Sequence, residues 1–135
     1  MSWHWESYVH KNNLWYHFKR FHEAIKEINP IEEKFIPMKA ETNDVRIYML
    51  IGNNHTLLWL RDKSNNWETE LEKGLTPLSI QGMQLNLKEL GVIAPTGKIE
   101  VYDPWKNTWT SIDLKDNLFP LPDFKRSLVV RVNSK

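Results

Sequence analysis

The hydrophobic positions of this chain change their period once. Over residues 12–28, NNLWYHFKRFHEAIKEI, Leu14, Phe18, Phe21, Ile25 and Ile28 recur at i, i+4, i+7, i+11 and i+14. That spacing makes one apolar stripe and predicts an amphipathic helix. Lys19, Arg20, Glu23, Lys26 and Glu27 fill the other face. Asn12 or Asn13 is suited to cap its start, and Asn29-Pro30 to stop it. Beyond Pro30 the period falls to two. VRIYMLI (45–51) alternates, with Val45, Ile47, Met49 and Ile51 on one side. Gly52-Asn53-Asn54 is turn chemistry, and HTLLWLR (55–61) follows as the hairpin partner. LSIQGMQLNLKEL (78–90) reads as a strand broken at Gly82, and KIEVYDP (98–104) as a strand whose antiparallel mate lies in WKNTWTSIDL. SLVVRV (127–132) closes the series. NPIEEKFIPMKAETND, with its two prolines, marks a boundary or a peripheral strand.

One helix followed by about seven to eight short strands predicts a mainly β fold, an antiparallel β-sandwich with the helix on its N-terminal side. The expected division is 1–29 and 30–135.

Composition narrows the classes of function. At 135 residues the chain suits a single domain, and 41% hydrophobic residues supply a core. The net charge of +1, with acids and bases interspersed, leaves no electrostatic footprint for nucleic acid. No apolar run approaches the roughly 18–20 residues of a membrane span. The start lacks the basic-then-apolar pattern of a signal peptide, so a cytoplasmic location is expected. Without cysteine, thiolate metal sites and disulfides are excluded.

Candidate chemistry is sparse. HEAIK places Lys26 where a zincin signature needs its second histidine, and His17 and His22 diverge on a helix; no metal or cofactor is expected. Glu68, Glu70 and Glu72 would share a strand face and Asp113 and Asp116 flank a turn. All sit in polar stretches, unlike the fixed carboxylate pair that glycoside cleavage requires. No catalytic residue is assigned. Trp59 reads as core. Trp67, Tyr102, Trp105 and Trp109 lie in or beside turns, where aromatic rings form a surface for a sugar ring or cover a sheet edge.

Three stretches together, TLLWLRDKSNNWETEL, LSIQGMQLNLKELGVIAPTGKIEVYDPWKNTWTSIDL and LFPLPDFKRSLVVRV, resemble the C-terminal β-sandwich of family 5-like, clan A glycoside hydrolases (cellulase- and mannanase-type proteins). MSWHWESYVHKNNLWYHFKRFHEAI is similar to the end of the catalytic (β/α)8 barrel that precedes it. The resemblance implies that SWHWESY ends barrel strand eight and that residues 13–28 form helix eight. Trp3 or Trp5 would then line the sugar cleft. The catalytic carboxylates of that clan lie upstream of any residue here, so the resemblance implies a non-catalytic accessory domain, a fragment or a truncated reading frame. Its implied partners are the barrel and, if Trp67, Trp105, Trp109 and Tyr102 act as a carbohydrate-binding module, an oligo- or polysaccharide. Leu14, Phe18, Phe21 and Ile25 would pack on the barrel. Left without it, that stripe is expected to drive formation of a homodimer.

Overall fold

Among the described residues, eight strands in two sheets, all paired antiparallel, follow a short helical N-terminal region. The structure, a computed structural model, describes residues 5–92, 99–114 and 118–133. Strands β1 (Ile36–Glu41), β2 (Val45–Ile51), β3 (His55–Asp62), β5 (Ile99–Asp103), β6 (Thr108–Ile112) and β8 (Ser127–Asn133) form the larger sheet, in the order β1-β2-β3-β8-β5-β6. β4 (Gln84–Asn86) pairs with β7 (Leu118–Pro120) in a second, two-stranded sheet.

The strand period decides what lies between the sheets. Val45, Ile47 and Met49 of β2, Leu58 and Leu60 of β3, Ile99 and Val101 of β5, and Leu128, Val130 and Val132 of β8 are all buried. They meet Leu85, Leu87, Phe119, Leu121 and Phe124 from the smaller sheet and its flanks in one cluster. Side chains alternate faces along a strand, so the residues between these point the other way.

The N-terminal region departs from the expected continuous helix. Trp5–His10 forms one wide, π-helical turn, α1 runs only from Trp15 to Ala24, and α2 is Pro30–Glu33. Asn13 takes a left-handed conformation, φ 52°, and no side chain caps α1. Asn29-Pro30 opens a helix instead of ending one. The Asn29 side chain accepts a hydrogen bond from the Ile31 amide (3.1 Å), and proline is pre-organised for a first helical position. Residues 5–8, the described part of the SWHWESY stretch implied to end a barrel strand, lie instead in the π-helical turn at Trp5–His10. Glu68, Glu70 and Glu72 do not share a strand face. Glu68–Glu72 is a short π-helical turn, opened by Asn66, whose side chain accepts from the Glu68 and Thr69 amides. The proline-bearing stretch after α2 does become a peripheral strand, β1. Its Pro37 sits at the sheet edge, where a missing donor is tolerated.

α2 is tied to the β2–β3 hairpin through one carboxylate. Glu33 is only 2% exposed. It accepts from the amides of Asn54 (2.8 Å) and His55 (3.0 Å), from the Asn54 side chain (3.3 Å) and from His55 Nδ1 (2.6 Å). Burial raises its pKa, but the hydrogen bonds from His55 and Asn54 outweigh it and hold the carboxyl at about 2, against an ordinary 4.5. Gly52 belongs to the same knot, since a Cβ there would collide with the Glu33 carboxylate and stand 2.8 Å from the His55 carbonyl oxygen.

A folded pKa below the unfolded one contributes stability above the unfolded value and loses it as pH falls through the folded value. Urea unfolding should therefore show a loss of about 3 kcal/mol between pH 4.5 and pH 2 that Glu33 accounts for. Glu33→Gln should lower stability by roughly 2 kcal/mol at neutral pH and flatten that acid limb; an unchanged acid limb would show the knot to be unimportant.

Candidate functional site

The outer face of the large sheet carries a row of side chains in register. Antiparallel pairing places Lys39 opposite Tyr48, Tyr48 opposite Trp59, Trp59 opposite Val129, Val129 opposite Tyr102, and Tyr102 opposite Trp109. Partners in register project to the same face, so this row crosses all six strands. Its two ends differ in what covers them.

Over β8, β5 and β6 the row lies beneath α1 and the turn that follows. Trp109 Nε1 donates to Glu23 (3.2 Å), and Arg131 donates to the Lys26 carbonyl (3.0 Å). The same guanidinium grips Glu100 (2.9 and 2.6 Å) and sits 4.8 Å above the Trp109 ring. Tyr102 is buried against that ring, centroids 4.8 Å apart, and its hydroxyl donates to Asn107 (2.7 Å). Burial pushes the Tyr102 pKa up; Arg20 pulls it down, and the charges of Glu23 and Asp103 add to the rise.

Over β1, β2 and β3 the face is open. Tyr48 and Trp59 lie 5.4 Å apart, and Trp59 is 44% exposed. It is not a core residue, because Leu58 and Leu60 on either side already take the core face of β3. Leu50 and Leu57 lie beside the pair, and Phe21, Ala24 and Ile25 of the α1 flank face them. Together they enclose a groove of about 870 Å³ that continues to Trp105. Its lining side chains are apolar or aromatic except for His17, Arg20, Lys39 and Ser127, with no carboxylate or amide among them.

The aromatic positions singled out from sequence separate. Trp105 lines the groove; its Nε1 donates to Ser127 (3.1 Å), and Arg126 covers its ring at 4.5 Å. Trp109 and Tyr102 lie under the helix region. Trp67 is 68% exposed on the turn at Glu68–Glu72. This turn is anchored by Glu70, which accepts two bonds from Arg126 and one from Asn65 (2.8 Å). Arg126, then Asn65, holds the Glu70 carboxyl below its ordinary range. Trp5 stacks on Trp15 at 5.8 Å, and Phe18 joins both at 5.3 and 5.9 Å. Trp3 and Asp116 lie outside the described residues.

The apolar stripe is thus divided. Phe21 and Ile25 line the groove, Phe18 belongs to the aromatic cluster, and Leu14 precedes the helix, half-buried. Sequence reasoning missed Tyr48 and Trp59 as an open pair. The signal was present, since Tyr48 lies between core-facing Ile47 and Met49 in β2, and Trp59 between Leu58 and Leu60 in β3.

No protein-family model matches this chain, and no curated protein matches it.

Trp109→Phe should keep the ring but remove the donor to Glu23. We expect a cost of about 1 kcal/mol, with faster amide exchange across α1 and little change in β2 and β3. Unchanged exchange in α1 would mean that Trp109 does not hold the helix.

Proposed function

We propose that the chain is a non-catalytic accessory β-sandwich of a glycoside hydrolase-like protein, and that its N-terminal aromatic segment packs against the catalytic barrel of that protein. The observation that carries this reading is the cluster of Trp5, Trp15 and Phe18. Its members stack on one another, yet each stays roughly half exposed and none belongs to the core between the sheets. Aromatic rings stabilise most when fully covered, and a contiguous exposed apolar patch marks an interaction surface. The resemblance of this segment to the end of a barrel names the partner.

The alternative, a carbohydrate-binding module, draws on the open Tyr48–Trp59 pair. The groove around it weighs against that alternative. Sugar hydroxyls stripped of water need hydrogen-bond partners, and beyond the polar tips of Tyr48, Trp59 and Trp105 the lining side chains supply His17, Arg20, Lys39 and Ser127, with no carboxylate or amide.

Three experiments test the reading. Aryl glycosides should not be turned over, and turnover lost in Glu68→Gln or Asp113→Asn would contradict a non-catalytic role. Replacing Trp15 and Phe18 by Ser should leave the melting temperature nearly unchanged while reducing adsorption to hydrophobic resin. A fall of many degrees would place the cluster in the sandwich's own stability and remove the ground for an external partner. A tryptophan-fluorescence titration with β-glucan or mannan oligosaccharides should be flat; a saturable shift abolished by Trp59→Ala would favour the carbohydrate-binding alternative.

A further inference from the structure

The accessory reading leaves the groove between α1 and the open half of the sheet without an occupant. Phe21 on its wall is 67% exposed, so a large apolar surface faces water. Its charges are of one sign. Arg20 and Lys39 contribute cations, His17 adds an imidazole, and no carboxylate lines it. Among the described residues neither Arg20 nor Lys39 takes part in an ion pair.

The same molecule displays a surface of the opposite character. On the turn at Glu68–Glu72, Trp67 is 68% exposed and Leu71 80% exposed. They are four residues apart, which brings side chains to one side of a helical turn. Glu68 and Glu72 flank them; Glu68 is paired with Lys73, and among the described residues Glu72 has no ion partner. Leu75 extends the exposed apolar surface. This is an apolar knob with the acid of Glu72 at its edge, and the groove is an apolar trough edged with base.

The two are also neighbours. Glu70 fixes the knob's turn to Arg126, and the Arg126 guanidinium lies on the ring of Trp105, which closes one end of the groove. A two-fold interface requires one self-complementary patch in which residue i meets j and j meets i. A knob beside a groove of matching chemistry meets that requirement.

We propose that the groove receives the 67–75 segment of a second copy of this chain, in a reciprocal two-fold dimer. In it Trp67 and Leu71 of each copy lie against Tyr48, Trp59 and Phe21 of the other, with Glu72 near Arg20 or Lys39.

Sedimentation and light scattering of the full chain across the micromolar range test this. The expected result is a monomer–dimer equilibrium whose dissociation constant rises tenfold or more in Leu71→Asp, and likewise in Trp59→Ser. Leu71 is so exposed that its replacement leaves the fold intact, and circular dichroism checks this. Arg20→Glu should weaken the dimer, and adding Glu72→Arg in the same chain should restore part of the loss. A wild-type monomer throughout that range would overturn the proposal, even if the groove bound the anionic dye 1-anilinonaphthalene-8-sulfonate. A dimer indifferent to Leu71→Asp and Trp59→Ser but dissociated by Phe18→Asp would overturn it too, assigning self-association to the N-terminal cluster.

Discussion

A β-sheet has two faces, and this chain has enough structure to cover one and a half. The six-stranded sheet buries its inner face against β4, β7 and their flanks. There Leu58, Leu60, Val101, Val130 and Phe119 exclude water almost completely. Burying a side chain of that size contributes roughly 1.5–3 kcal/mol, so the inner face carries the stability of the domain. The outer face mixes an aromatic row with charged residues such as Arg46, Arg61, Glu100 and Arg131, and among the described residues its cover is α1, a ten-residue helix, with the turn that follows. A helix this short is marginal by itself, and it stays where Glu23 and the Lys26 carbonyl are held by Trp109 and Arg131.

The open half-face follows from that attachment. Both contacts lie on the β6 and β8 side of the sheet, so the helix shields Tyr102 and Trp109 and leaves Tyr48 and Trp59 uncovered. The groove is thus a consequence of where the helix is pinned, and its basic edge follows from which residues of α1 and β1 line it. Glu33 and Gly52 serve the opposite edge, fixing the β2–β3 hairpin to α2 so that the Tyr48–Trp59 pair has a firm floor.

Much of this was legible from period alone. β2 and β3 matched the alternating runs at 45–51 and 55–61 almost to the residue, because one buried face fixes a strand's register. The pairing of β5 with β6 and the closing strand β8 were equally plain. Short elements were not. β7 is three residues long, ends in Pro120, and exists because β4 pairs with it; no local pattern announces such a strand. The N-terminal helix is shorter than its apolar spacing predicts, since α1 ends at Ala24 and Ile28 carries the spacing past Glu27, which takes a left-handed backbone conformation. As for the site, the aromatic residues were visible but their neighbours were not. Trp105 and Trp109 stand close in sequence, yet an arginine stacks on each ring, a contact made by β8 or its approach that no local reading supplies.

The central claim is that the open half of the outer face is an interface for protein rather than a finished surface. Hydrogen–deuterium exchange at increasing protein concentration tests it most directly. The account predicts that protection grows with concentration in residues 67–75, in the outer-facing positions around Tyr48 and Trp59, and in α1, while β4, β5 and β7 stay constant. Exchange in those three regions that is independent of concentration would contradict it.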